Sequence, residues 1–484
     1  MKLRDILKDV TVLNFSADME TEITGICYDS RKAENGFLFV AVKGFESDGH
    51  RYIKKAIELG AQAVICEDVP EYDVPFVQVE DSRLSLALAS CAFYSYPSTE
   101  MKVIGVTGTS GKTTTTHLIK HMLESQLGAK VGLIGTNGNM IGEEHLHSEH
   151  TTPESLELQQ LFRQMADAGC SYAVMEVSSH SLTLNRVAGT DFSTAVYTNL
   201  ALDHLDFHHT MDEYAQAKRR LFSMCRKACF NLDDSRGEFM IAGAGCPYIT
   251  SSLRYEEADI RACNINLSAA AVDFTCEYDN KSVQMHLGIP GLFSVHNALS
   301  AVSACISEGM SLEQCAEGLS TAKGVKGRVE TVPTDGDYTI IIDYSHKPDS
   351  LENVLKTLRE VTAGRLITLF GCGGDRDRTK RPVMGRIAAE NSDVVIVTSD
   401  NPRTEEPEAI IYEIVEGLKN CEKPYKIICD RIEAIHWAID NAEPGDVILL
   451  AGKGHEDYQV IGHEKHHMDE REIVSEYLKE KGSL

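Results

Sequence analysis

Lys112 and Thr113 close the turn Gly108-Thr109-Ser110-Gly111-Lys112-Thr113, and this spacing suits a polyphosphate. An apolar run from Lys102 to Thr107 leads into the turn, and a helix is expected after it. The backbone N–H groups of the turn and the N-terminus of that helix can hold phosphates. Lys112 can reach the outer phosphates, and the Thr113 hydroxyl, with Thr114 beside it, can serve a Mg2+ ion. A strict P-loop has glycine five residues before Gly111, where this chain has Val106. The shorter Gly-Thr-x-Gly-Lys-Thr form points to a narrower group of enzymes.

Other side chains suit chemistry around a nucleotide. Glu176 and His204 are metal candidates, the carboxylate more natural for Mg2+ than the imidazole. The run Asp203 to His209 also admits zinc, but it has no thiolate partner at finger spacing. Lys218 lies in an amphipathic stretch, Glu213 to Phe222, and on sequence alone reads as a solvated helix lysine. In Asp400-Asn401-Pro402-Arg403, the arginine can clamp a carboxylate while Asp400 and Asn401 accept from an ammonium. Together these groups fit a zwitterionic amino-acid centre.

These residues need a scaffold larger than one core. A chain of 484 residues implies two to four domains. Hydrophobic content of 43% and charged content of 25% are those of a soluble globular protein. The net charge of −26 argues against nucleic acid and anionic membrane as partners, so an anionic substrate needs local basic pockets. Residues 1–10 have no apolar signal core and no later stretch suits a membrane span, so a cytoplasmic protein without membrane insertion is expected. The 14 cysteines lack paired Cys-x-x-Cys spacing and read as buried small apolar residues in a reducing compartment.

The chain reads as three α/β segments, 1–98, 99–328 and 329–484. In the first, Gly36 to Val42 and Ala63 to Cys66 read as strands and Tyr52 to Leu59 as a helix. The second carries strands at Lys130 to Ile134, Tyr172 to Val177, Thr194 to Thr198 and Ala228 to Asn231. The third carries them at Thr339 to Asp343, Leu366 to Phe370, Val394 to Thr398 and Val447 to Leu450. Short apolar runs alternating with helical stretches imply parallel sheets with crossover helices. Polar clusters follow these strands: Glu176, Asn199 to His209, Asp343 to Pro348, Gly371 to Arg376, Asp400 to Arg403 and Gly452 to Glu456. Open parallel sheets bind ligands at the carboxyl ends of their strands, so the clusters suggest two domains facing a cleft.

The motifs Gly108 to Thr115, Glu176-Val-Ser-Ser-His180, Asn199 to His204, Gly327-Arg328 and Asp343-Tyr-Ser-His346 together resemble the Mur ligases, the ATP-dependent amide-forming enzymes of peptidoglycan synthesis. His150-Thr-Thr-Pro153 and Tyr28-Asp-Ser-Arg31 are similar to the members that add the third residue of the stem peptide. Asp400 to Arg403 resembles the signature of those that add meso-diaminopimelate. The resemblance implies three domains: a uridine-nucleotide domain, a central P-loop ATPase-type parallel sheet, and a C-terminal Rossmann-like domain. It places Tyr28 and Ser30 on the UDP part of a substrate, and His150, Thr151, Thr152, Ser178 and Arg186 on UDP-substrate binding, mainly its muramoyl-peptide part. Lys112 and Thr113 take ATP phosphates and Mg2+, with Glu176 and His204 completing the metal site. Lys218 matches a lysine that is carbamylated in the family, an N6-carboxylysine that helps place a second Mg2+. Asn297, Arg328 and Asp343 fall around the nucleotide. Arg376, Asp400 to Arg403, Gly452 and Glu456 fall around diaminopimelate. Ser110 replaces an Asn of many relatives, and Leu184 a Gln of some.

The resemblance implies a monomeric ligase using ATP and Mg2+ on UDP-MurNAc-L-Ala-D-Glu and meso-diaminopimelate. The D-Glu side-chain carboxylate attacks the γ-phosphate, and an amine of diaminopimelate displaces phosphate from the acyl phosphate. Cell-wall biogenesis, cell shape and division are the processes such an activity serves. A lysine-adding ligase of the same family, a folylpolyglutamate synthetase-like ligase, and a nucleotide-dependent switch without ligase chemistry are the competing readings.

Overall fold

Short β-branched runs bounded by Gly, Asp and Asn form the strands, and the runs between them form crossover helices. The structure is a computed structural model describing residues 1–482, except 45, 46, 147, 149, 269, 335, 420, 422 and the side chain of Asp206. The chain divides into two compact units. One comprises residues 1–261 and 299–315, the other 262–298 and 316–484.

The first unit holds two sheets. The N-terminal sheet has the order Val12–Phe15, Phe76–Val79, Ala63–Cys66, Phe37–Val40, Gly25–Cys27, with only its first pair antiparallel. The strand expected at Gly36 to Val42 is shorter, and the helix expected from Tyr52 is Ile53–Glu58, preceded by a 3-10 turn. In the second sheet, Lys102–Thr107 lies between Tyr172–Glu176 and Phe192–Tyr197, both parallel to it. Val131–Gly135, Cys225–Asn231 and Tyr248–Ser252 extend the parallel set. The register pairs Val106 with Glu176 and Thr107 with Tyr197, so the phosphate loop, Glu176 and the Thr198–Asn199 turn leave the sheet at one edge. Val106 is fully buried and paired on both sides. The strand simply continues through the place where a strict P-loop has glycine.

The second unit contains an antiparallel hairpin, Val272–Tyr278 with Lys281–Leu287, and a six-stranded sheet. That sheet runs Glu330–Val332, Thr339–Asp343, Val447–Ala451, Leu366–Phe370, Val394–Val397, Tyr425–Ile427, parallel except for its first pair. Helix Pro348–Val361 buries Leu351, Val354, Leu355 and Leu358, one helical stripe, against the sheet's core. Each such side chain contributes about 1.5–3 kcal/mol of transfer free energy. Asp343 and Phe370 both pair with Ala451, so the clusters at Tyr344, Gly371 and Gly452 begin at one edge. The architecture is the three-domain, mixed α/β arrangement expected, with a phosphate-loop sheet in the middle of the chain and a Rossmann-like sheet at its end.

Among the described residues no helix is long and apolar enough to cross a membrane. All 14 cysteines are free thiols, buried or half-buried.

Candidate functional sites in the two units

Two glycines shape the phosphate loop. Gly111 has φ +83° and starts helix Lys112–Leu127. A Cβ on Gly108 would lie 1.9 Å from Thr198 Oγ1, so no side chain fits there. Asn199 braces the loop from the neighbouring strand end: its Oδ1 accepts from Ser110 N at 2.9 Å and its Nδ2 donates to Ser110 O at 3.1 Å. Thr113 to Thr116 are helical and buried despite their β-branching. Tertiary packing outweighs their modest propensity cost here.

Two amines converge on one backbone oxygen of this loop. Lys112 Nζ donates to Gly108 O at 2.9 Å and to Thr109 O at 2.9 Å, and Lys218 Nζ donates to Gly108 O at 2.7 Å. Lys218 is not the solvated helix lysine that sequence alone suggests. It lies on helix Met211–Arg219, is 1% exposed, and sits 4.6 Å from the Tyr214 ring centroid. Burial first, and then the Lys112 charge, pulls its amine well below the usual lysine range.

Glu176 is buried at its strand end, with Oε1 accepting from Thr136 N at 2.9 Å and Oε2 from Thr136 Oγ1 at 3.1 Å. The same hydroxyl lies 3.1 Å from Thr151 Oγ1. Thr152 Oγ1 donates to Glu176 O at 2.9 Å and accepts from Ser178 N at 3.2 Å; Arg186 Nη1 donates to Thr152 O at 3.2 Å. One hydrogen-bonded chain therefore joins Glu176, Thr151, Thr152, Ser178 and Arg186. His204 is half-exposed, has φ +53°, and stands with its ring 4.9 Å from that of His180. Among the described residues no three His, Cys, Asp or Glu side chains gather as a metal cage. The hard oxygens of Thr113 and Glu176 suit an ion that keeps most of its waters, as Mg2+ does.

Tyr28 and Ser30 line a cavity of about 490 Å³ with Arg31, Tyr52 and Arg83. Tyr28 also borders one of about 370 Å³ with His150, Glu154 and Glu157, and its hydroxyl donates to Glu157 at 2.9 Å. Glu157 carries no sequence signal beyond a helix-surface glutamate.

In the second unit a cleft of about 800 Å³ collects Arg376, Asp400, Asn401, Arg403, Gly452 and Glu456, as expected. Its lining is charge-balanced: Lys347, Arg376, Lys380 and Arg403 against Asp349, Asp377, Asp400 and Glu456. The cleft is thus not the basic pocket expected for an anionic substrate, and its balance of charges suits a zwitterion instead. Arg403 has φ +51°, and its Nη1 donates to Gly374 O at 2.7 Å. Below it, Arg381 is wholly buried and pairs with Glu405 and Glu413.

The ammonium that Asp400 and Asn401 meet is the protein's own. Lys453 Nζ, fully buried, donates to Asn401 Oδ1 at 2.6 Å and lies 3.6 Å from Asp400 Oδ1. Sequence reasoning missed both Lys453 and Arg381; Lys453 sits inside the Gly452 to Glu456 cluster, the one available signal.

Asp343 turns its carboxylate to backbone, Oδ2 accepting from Val329 N and Oδ1 from Ser345 N, each at 2.9 Å. It thereby fixes the chain beside Arg328, whose guanidinium lies 5.2 Å from the Tyr344 ring centroid. Asn297 is buried on helix Leu292–Ser307.

Comparison with known proteins gives the family and the fold. Family profiles match at residues 22–94 (Mur ligase family, catalytic domain), 106–305 (Mur ligase middle domain) and 327–454 (Mur ligase, glutamate ligase domain). The UDP-N-acetylmuramoyl-L-alanyl-D-glutamate–2,6-diaminopimelate ligase 1 of Clostridium acetobutylicum is 48% identical, covering 99% of this chain and all of that one. The ligase of the same reaction from Caldanaerobacter subterraneus is 47% identical over 99% of each chain. A solved structure of such a ligase superposes with TM-score 0.77 at 33% identity over the whole of both chains. A folylpolyglutamate synthase from Mycobacterium tuberculosis shares the fold over 76% of this chain and 92% of that one, at TM-score 0.59 and 16% identity.

Proposed function

The chain belongs to the Mur ligase family of ATP-dependent, amide-bond-forming ligases, and from that premise we propose that it joins meso-2,6-diaminopimelate to the D-Glu of UDP-MurNAc-L-Ala-D-Glu in peptidoglycan precursor synthesis. The observation that carries this reading is the match to diaminopimelate ligases along essentially the entire chain. The charge-balanced cleft around Arg403 supports it. Its need for ATP assigns the reaction to the cytoplasm. Substrate binding is assigned to residues 1–98, ATP chemistry to 99–328 and the amino acid to 329–484, a division that the three profile matches support.

The D-Glu carboxylate attacks the γ-phosphorus of ATP, ADP leaves, and an acyl phosphate forms. The amine of diaminopimelate attacks the acyl carbon, and the tetrahedral intermediate collapses to amide and phosphate. Lys112 reduces the repulsion between the two anions and stabilises the transferring phosphoryl group. Thr113, Glu176 and His204 would hold Mg2+, which would supply neutralising charge to the transferring phosphoryl group. Lys218, whose neutral and CO2-reactive form is enriched by burial, forms an N–C bond to CO2 and releases one N–H proton, which leaves a carbamate anion beside the loop. Arg403 and Arg376 receive the carboxylates of diaminopimelate, and Glu456 its ammonium.

The test is phosphate release by the purified protein with ATP, Mg2+, UDP-MurNAc-L-Ala-D-Glu and a panel of amino acids. Turnover with meso-diaminopimelate and little with L-lysine is expected. Turnover with L-lysine instead overturns the substrate assignment.

A further inference from the structure

We propose that Lys453 is a positioning residue for the amino-acid substrate: a buried internal ammonium that sets which atoms of Asn401 and Glu456 face the cleft. The proposal deepens the diaminopimelate-ligase reading and rests on it. Lys453 is 0% exposed between Gly452 (φ +110°) and Gly454 (φ +54°). A Cβ on Gly454 would come within 2.7 Å of Tyr344 Cα, so the turn is tightly fixed on that side. The lysine touches no substrate space of its own. Its Nζ donates to Asn401 Oδ1 and to Tyr458 O, both at 2.6 Å, and reaches Glu456 Oε2 at 3.4 Å.

The consequence for Asn401 is one of orientation. Oδ1 also accepts from Val460 N at 2.9 Å, so both of its lone pairs are used. Nδ2 donates to Glu456 Oε2 at 2.9 Å. The amide is therefore held as a donor towards Glu456, and cannot flip to accept from a substrate ammonium. Glu456 Oε2 in turn takes both Lys453 and Asn401, so Oε1 is the oxygen that these two leave uncommitted on a residue that lines the cleft. Removing Lys453 would leave Asp400 and Glu456 without the cation that lies 3.6 Å from one and 3.4 Å from the other, and would take from Asn401 Oδ1 one of its two donors. Misplacing a binding group by about 1 Å is enough to cost on the order of 100-fold in rate.

The experiment compares the wild-type enzyme with Lys453→Met in two reactions. One is complete ligation with varied diaminopimelate. The other omits diaminopimelate and traps the acyl phosphate with hydroxylamine, which takes the acyl group as a hydroxamate and releases phosphate. A rise of about 10- to 100-fold in KM for diaminopimelate is expected, with hydroxamate formation and KM for ATP within twofold of wild type. Lys453→Gln, neutral but still a donor, is the second variant should Lys453→Met not fold. An unchanged KM for diaminopimelate overturns the proposal, and so does equal loss of both reactions, which marks a purely structural lysine. Failure of the wild-type enzyme to use diaminopimelate sinks the underlying assignment instead, so the two failures are distinguishable.

Discussion

Arg381 and Glu405 form a two-toothed ion pair, Nη2 to Oε1 at 2.8 Å and Nη1 to Oε2 at 2.9 Å, under the loops that carry Arg376 and Arg403. Arg381 Nη2 also donates to Gly373 O at 3.2 Å, and Glu405 Oε1 accepts from Asp375 N at 2.6 Å. The pair thus staples the loop after Phe370 to the loop after Val397.

Arg381→Met is expected to lower stability by about 3 kcal/mol, because two carboxylates lose their buried partner. The effect carries a pH signature. Hydrogen bonds from Arg381 are the main cause holding the Glu405 carboxyl at about 2, below its ordinary 4.5. Stabilisation from a lowered carboxyl is complete above 4.5 and is lost as pH falls towards 2. Denaturant unfolding at pH 7 and at pH 3 should therefore show a smaller gap between wild type and variant at the lower pH. A gap that widens on acidification contradicts the assignment.

Arg403→Ala should cut kcat/KM for diaminopimelate by a factor of hundreds, since a substrate carboxylate loses the half-buried guanidinium that would pair with it, a loss of about 3–5 kcal/mol once the two are desolvated together. ATP affinity should stay within twofold. Diaminopimelate kinetics equal to wild type would remove Arg403 from the substrate site.

Lys218→Ala should abolish ligation, and added bicarbonate should not restore it. In the wild-type enzyme the direction with pH follows from the amine. Its lowered value leaves more of it neutral at pH 7 than an ordinary lysine, and acidification protonates it and reverses carbamate formation. Activity in CO2-depleted buffer should therefore fall, more steeply at pH 6 than at pH 8, and recover with bicarbonate. Equal activity with and without CO2 at both pH values refutes the carbamate.

Gly108→Ala should abolish ATP-dependent thermal stabilisation, because its Cβ would overlap Thr198 Oγ1. A thermal shift with ATP equal to that of wild type would mean the loop does not hold the phosphates in this conformation.

How far the sequence foretold these sites depends on how local each one is. The turn from Gly108 to Thr113 announces itself because its parts are adjacent. Thr339–Asp343 and Leu366–Phe370 have the bounds expected of them, since short apolar runs end where polar turn residues begin. Phe192–Tyr197 starts two residues earlier than expected, because the edge of a buried strand has no marker of its own. Lys453 and Arg381 were hidden for another reason. A buried cation looks like a surface one until its partners are known, and Asn401 lies 52 residues before Lys453, Glu405 24 after Arg381. On sequence alone Lys218 reads as solvated for the same reason: its 110-residue link to Gly108 exists only in the folded chain.

That link has a further consequence. A carbonyl oxygen offers two lone pairs, and Gly108 O gives them to Lys112 and Lys218. Two cations so close repel, and the Lys112 charge adds to the burial that lowers the Lys218 amine. The loop oxygen thus gathers two residues of the same type in unlike surroundings, Lys112 half-buried at the helix start and Lys218 sealed away from solvent. What separates the two amines is burial, not the acceptor they share.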